Sequence, residues 1–171
     1  MAAVVEQYSV LEEEAQTPTL QFPPKPAASP PTKLTLEQAE KLANGKSFEL
    51  IDGRLVFKMP DDQHSDAQAL LCGDLVKYFK ANPIGRVRTE FTHRLWPDSP
   101  YEGRVPDLSV ILNENLKEGE RYATRAPDIA IEIVSRDDGW SALFEKAELY
   151  LEKGSRVVWI VDPYQKAVVV V

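Results

Sequence analysis

The chain has 171 residues, 43% hydrophobic and 27% charged, which allows one domain with a sizeable core and leaves too little for two well-packed ones. Its net charge of −7 gives no general attraction to a polyanion or an anionic membrane, so any nucleic-acid contact has to be local. The lone Cys72 excludes an internal disulfide and suits a reducing cytoplasm; no secretory leader is read, nor any apolar run near the ~18 to 20 residues that cross a bilayer.

Residues 1–33 read as a disordered tail, because the Pro-rich stretch 12–32 has almost no apolar periodicity with which to offset the entropy of ordering. Residues 34–171 read as one folded domain. Thr35 with Gln38 three positions on makes a capping box that opens a helix, and Asn44-Gly45 closes it. FELIDGRLVF, residues 48–57, centres Asp-Gly between β-formers and predicts a hairpin. From Ser65 to Lys80, apolar Ala67, Leu71, Leu75 and Tyr78/Phe79 recur at helical spacing until Asn82-Pro83 stops the run. Strands are expected at roughly 86–96, 104–112 and 127–135, and a helix over 141–153 with Leu143, Ala147, Tyr150 and Leu151 on its inner side. RVVWIVD (156–162) reads as a strand buried on both faces, and KAVVVV (166–171) as the start of its return partner. After the hairpin the order is αβββαβ, which predicts an α/β fold with a mixed sheet flanked by helices.

The chemistry is concentrated in two of the strands. Side chains alternate along a strand, so in IAIEIVS the isoleucines 129, 131 and 133 face one way, towards the expected core. Glu132 faces the other way, among small or moderate side chains. An unpaired buried carboxylate costs several kcal/mol, so a compensating partner is required. Asp107 stands just after Pro106 at the start of the preceding strand. If the two strands are neighbours, the two acids converge, and a divalent cation between them relieves their repulsion. Mg²⁺ suits such a place, with Mn²⁺ as a substitute, because it takes one or two carboxylates and keeps waters and positions for phosphate oxygens. A lysine on an adjacent helix would counter developing charge; Lys146 lies mid-helix after the Glu132 strand, with Tyr150 one turn on.

These residues resemble a family. Pro106-Asp107 followed by Glu132 is similar to the PD-(D/E)XK nuclease pattern. The wider set FELIDGRLV, His64, RVPDLSV, APDIAIEIVS, Lys146 with Tyr150, and GSRVVWIVDP resembles the Uma-two family of restriction-endonuclease-like proteins over about residues 35–171. The resemblance implies a restriction-endonuclease-like core preceded by an N-terminal helix and hairpin, and a Mg²⁺-dependent site that cleaves phosphodiester bonds. Carried onto this chain, Asp107 and Glu132 are metal ligands. The lysine usually found two positions beyond the Glu is Val134 here, and the resemblance points to Lys146 in its place. Glu49 is a further acidic member and His64 a further site member. The chain also ends at Val171, inside a strand where members of the family continue, so a C-terminal truncation and an unpaired sheet edge are expected.

Plain alternatives stand beside each reading. Glu132 could be an edge-strand acid, Glu49 a surface strand acid, Lys146 a solvated helix lysine, and His64 a helix N-terminal hydrogen-bonding group. Asp128, in another Pro-Asp, shares a face with Glu132 but opens its strand. Arg86, Arg88, Arg94, Arg104, Arg121 and Arg125 are candidates for phosphate contacts or scattered surface charge. His64 and His93 without further ligands do not make a structural zinc site, and Ser135 has no histidine at triad spacing. The expectation is a cytoplasmic metal-dependent endonuclease acting on nucleic acid, DNA foremost, and homodimeric for cutting two strands. The competing expectation is a nuclease fold that has lost turnover and serves as a binding or regulatory module.

Overall fold

A computed structural model describes residues 32–171; the expected tail, apart from Thr32 and Lys33, lies outside the described residues. Helix α1 (Leu36–Ala43) begins at the capping box: Gln38 N donates to Thr35 Oγ1 at 3.3 Å, and Thr35 N donates to Gln38 Oε1 at 2.9 Å. Left-handed Asn44 ends it. Strands β1 (Phe48–Ile51) and β2 (Arg54–Phe57) form the hairpin. Asp52 and Gly53 both take positive φ, +49° and +74°, the pattern of a type I′ turn. Gly53 is required twice over, since a Cβ there would lie 2.6 Å from Lys33 Cβ. The buried face of α1, Leu36 and Ala39, packs on Leu50 of β1 to make a small core of its own.

Helix α2 spans Asp62–Ala81, starting three residues before the expected Ser65 because the Asp61 side chain accepts His64 N at 3.0 Å and caps it. His64 therefore lies in the first turn of α2, and it is that helix's buried residue. Then come β3 (Gly85–Thr89), β4 (Leu108–Leu112), β5 (Ile129–Ile133), α3 (Trp140–Glu152), β6 (Val157–Asp162) and β7 (Ala167–Val170). They form a five-stranded mixed sheet in the order β3-β4-β5-β6-β7, antiparallel throughout except for the parallel β5–β6 pair, which α3 connects. The fold is the α/β class expected from sequence.

The strands expected over 86–96 and 104–112 are shorter than predicted. Glu90 at φ +49° ends β3, and between the two strands the chain makes only isolated bridges, His93 with Arg104 and Ala123, and Leu50 with Gly103. Prolines 97, 100 and 106, which cannot donate to a ladder, interrupt the segment. A second difference concerns the face that carries Glu132. The isoleucine side was expected to be the core, yet both faces of β5 are covered. Ala130 and Val134, on the side of Glu132, join Leu143, Ala147 and Tyr150 of α3 and Val158 and Ile160 of β6 in the largest apolar cluster, while Ile131 and Ile133 are also buried. Glu132 is thus enclosed by the sheet and α3 instead of lying on an open face.

Candidate functional site

The antiparallel register of β4 and β5 brings the two acids together. Its last pair at this end is Leu108 with Ile131, and one further step sets Asp107 opposite Glu132. Asp107 is 1% exposed, and each oxygen is engaged. Oδ2 accepts Ile133 N at 2.7 Å and faces His64 Nε2 at 3.2 Å, while Oδ1 pairs with the Lys58 ammonium. Burial alone would raise this carboxyl, but the His64 hydrogen bond and the Lys58 charge hold it well below the usual carboxylate range. His64 shows the reciprocal effect: burial pulls its pKa down, Asp107 pulls it up more strongly, and the net shift is upward.

Glu132, next to the last residue of β5, meets two residues one turn apart on α3. Lys146 Nζ donates to Oε2 and Tyr150 Oη to Oε1, each at 3.0 Å. Burial pushes the Glu132 carboxyl up, the Lys146 ammonium draws it down, and the Asp107 charge adds to the rise, leaving it at about 7. Burial opposes the Lys146 charge, but Glu132 and Glu49 outweigh it and keep the ammonium protonated. Tyr150 is raised by burial and by the Glu132 charge, so its hydroxyl stays a donor. Glu49 arrives from β1: its Oε1 accepts Val105 N at 2.9 Å and lies 3.0 Å from Lys146 Nζ.

Asp107, Glu132, Lys146, Glu49 and His64 all line one pocket of about 520 Å³. The sequence reading omitted further charged groups in it, among them Lys58 just beyond β2 and Glu90 just beyond β3. Lys58 Nζ donates to Val105 O at 2.9 Å and lies 3.7 Å from Glu90 Oε2; Gln68 Nε2 ties Glu90 Oε1 (3.0 Å) to the Asp107 carbonyl (2.9 Å). A lysine next to a strand end has no distinguishing spacing, so no local signal pointed to it. Asp137 and Asp138 add negative charge to the lining.

None of the six arginines lines the pocket. Arg86 pairs with Glu118, Arg94 bonds the Pro97 carbonyl, Arg104 bonds Glu102 and the Leu50 carbonyl, and Arg121 pairs with Glu40. Arg88 stacks over Phe91, and Arg125 bonds the Ala126 carbonyl. Asp128 also lies away from the pocket, accepting Leu112 N at 2.8 Å and Asn115 Nδ2 at 2.7 Å. Among the described residues, no three His, Cys, Asp or Glu side chains gather as a metal-binding group, and lysines pair with both acids. No helix among them is long and apolar enough to cross a membrane.

No curated protein matches the chain. A solved structure from Anabaena variabilis, described as "a putative nuclease belonging to DUF820", is similar to it with a TM-score of 0.67 and 25% sequence identity, over 81% of this chain and 79% of that one. The fold is accordingly restriction-endonuclease-like. The model of the Uma2 (Uma-two) family, described as "Putative restriction endonuclease", matches residues 35–171 and takes in the hairpin, both strands that carry the acids, and the helix of Lys146. The chain belongs to the Uma2 family.

Proposed function

We propose that the protein is a divalent-metal-dependent endonuclease that hydrolyses phosphodiester bonds in DNA at the pocket of Asp107 and Glu132. One observation carries the reading: two acids from neighbouring strands and an ammonium from the following helix, far apart in sequence, face a single cavity. The donor chemistry fits a hard cation. Asp107 and the Val105 carbonyl already surround one positive charge, that of Lys58, and Glu132 adds a second carboxylate; two carboxylates plus water are a common shell for Mg²⁺ or Mn²⁺. Bound there, the ion supplies Lewis acidity and makes water more acidic.

The chain's own residues orient and neutralise. Ile133 N–H and His64 fix Asp107 Oδ2, and the Tyr150 hydroxyl fixes Glu132 Oε1, so both carboxylates present a set face. Lys146, kept charged, counters the negative charge that grows on the phosphoryl oxygens. Glu49 acts through Lys146, and His64 through Asp107, as positioning residues. A second reading, the inactive nuclease-fold module, draws on one fact: lysines already pair both carboxylates.

Supercoiled plasmid and single-stranded DNA, incubated with Mg²⁺, Mn²⁺ or chelator, separate the two. The wild type should nick only with metal, and Asp107→Ala and Glu132→Ala should each lose about 10³-fold or more. Equal nicking by all three proteins would mean contamination and end the claim for this pocket. Metal-dependent DNA binding without cutting would favour the inactive module.

A further inference from the structure

Resting on that metal reading, we infer that Lys58 is an internal competitor for the metal: its ammonium occupies the cation position at Asp107, and loading the ion requires Lys58 to swing out. The argument is one of oxygen atoms. Ile133 N–H and His64 engage Asp107 Oδ2, so Oδ1 is the oxygen left for a cation, and Lys58 Nζ is on it. The same ammonium contacts the Val105 carbonyl at 2.9 Å and has Glu90 Oε2 at 3.7 Å, a shell of hard oxygens like the one Mg²⁺ takes. An ammonium and a divalent ion cannot occupy the one position between Asp107 Oδ1 and the Val105 carbonyl together. Like charge at such range would also repel strongly in a partly enclosed pocket.

Lys58 differs from Lys146 in how firmly it is held. Lys146 bridges Glu132 and Glu49 with its stem on α3, whereas Lys58 follows the last residue of β2, outside regular structure. A flexible four-carbon stem at a strand end can turn into the cavity that Phe57, Met59 and Pro60 also line. The exchange of ammonium for metal leaves the carboxylates neutralised in both states. It keeps the acids from repelling one another in the metal-free protein while making metal binding weaker than the oxygen set alone would allow.

Two measurements test this on the full chain. Calorimetry with Mn²⁺ alone compares wild type with Lys58→Met and Lys58→Arg. The methionine variant should bind Mn²⁺ roughly tenfold more tightly, the factor expected for losing one competing charged hydrogen bond, and the arginine variant should not gain. The second measurement needs no variant: an amine-acylating reagent is applied to wild type with and without Mg²⁺ or Mn²⁺, and the modified lysines are mapped by mass spectrometry. Lys58 should become more reactive when metal is present and Lys146 should not. Mn²⁺ affinity that is unchanged or weaker in a folded Lys58→Met, or Lys58 labelling that does not rise with bound metal, overturns the inference and leaves the nuclease reading standing. Absence of Mn²⁺ binding in both wild type and Lys58→Met overturns both.

Discussion

Two of the chain's Pro-Asp pairs stand directly before strands of the main sheet, Pro106-Asp107 before β4 and Pro127-Asp128 before β5, and these two aspartates begin from the same local chemistry. Each is 1% exposed, and each accepts a backbone N–H from the end of the neighbouring strand, Ile133 for Asp107 and Leu112 for Asp128. Because β4 and β5 are antiparallel, the starts of the two strands lie at opposite ends of their ladder. At one end the residue across the register from Asp107 is Glu132, and a hairpin and two helices bring Lys58, His64 and Lys146 around the pair. At the other end Asp128 meets the Asn115 amide at 2.7 Å and the exposed Arg156 at 3.4 Å, and it secures a turn. At the start of these two strands the motif supplies a buried acid; the opposite strand and the elements above it decide whether that acid joins the pocket cluster or a structural clamp.

The sharpest way to break this contrast is to truncate each acid in turn. Asp107→Ala should reduce cutting by about 10³-fold or more, whereas Asp128→Ala should leave activity per folded molecule within about twofold and lower stability by about 2 kcal/mol, as buried donors lose their acceptor. Nicking assays and urea unfolding on both variants read this out, and comparable loss of activity in the two would dissolve the distinction.

The protein's two histidines give a smaller but more direct measure. His64, beside Asp107, has its folded-state pKa raised, so its stabilising contribution is complete below its unfolded value and fades as pH rises through the folded one. His93 goes the other way, pushed down to about 4 chiefly by burial, so its contribution is complete above about 6.5 and is lost as pH falls towards 4. That loss should amount to roughly 2 kcal/mol between pH 7 and pH 5. Proton NMR should resolve two titrations on either side of about 6.5. Asp107→Asn should lower the His64 value and spare His93, whereas Asp128→Asn should move neither; a wild-type His64 titrating at or below its unfolded value would contradict the pairing. The smallest effect concerns the hairpin, which only the Asp107 end possesses. Gly53→Ala should cost about 1 to 2 kcal/mol by thermal or urea unfolding, because the residue has positive φ and no room for a Cβ.

Much of this was legible from the sequence because the signals are local. The Thr35 capping box, the Asp52-Gly53 turn and the apolar spacing of α3 each lie within a few residues, and the structure reproduces them. The spacing of Asp107, Glu132 and Lys146 was read through the family pattern, and the antiparallel register supplies its geometry. What escaped depends on distant contacts. Lys58 meets Asp107 across 49 positions, and Gln68 reaches Glu90 across 22, with nothing in either segment to announce it. The start of α2 was missed because the Asp61 cap has no glutamate or glutamine partner three residues on, only His64. The covering of both faces of β5 was missed for a related reason: alternation along a strand shows which residues share a face, and the helix laid over that face is a tertiary fact.

The cavity does not belong to a single sheet. Glu49 is contributed by the two-stranded hairpin and Glu132 by the five-stranded sheet, and one ammonium, that of Lys146, is shared between them at 3.0 Å on each side. That ion acts as a clasp across a seam, and the Val105 amide hydrogen bonded to Glu49 lies along the same seam. If the hairpin lifts, opposite charges are pulled apart and that amide meets solvent, so hydrogen–deuterium exchange at Val105 becomes a gauge of whether the candidate site is assembled.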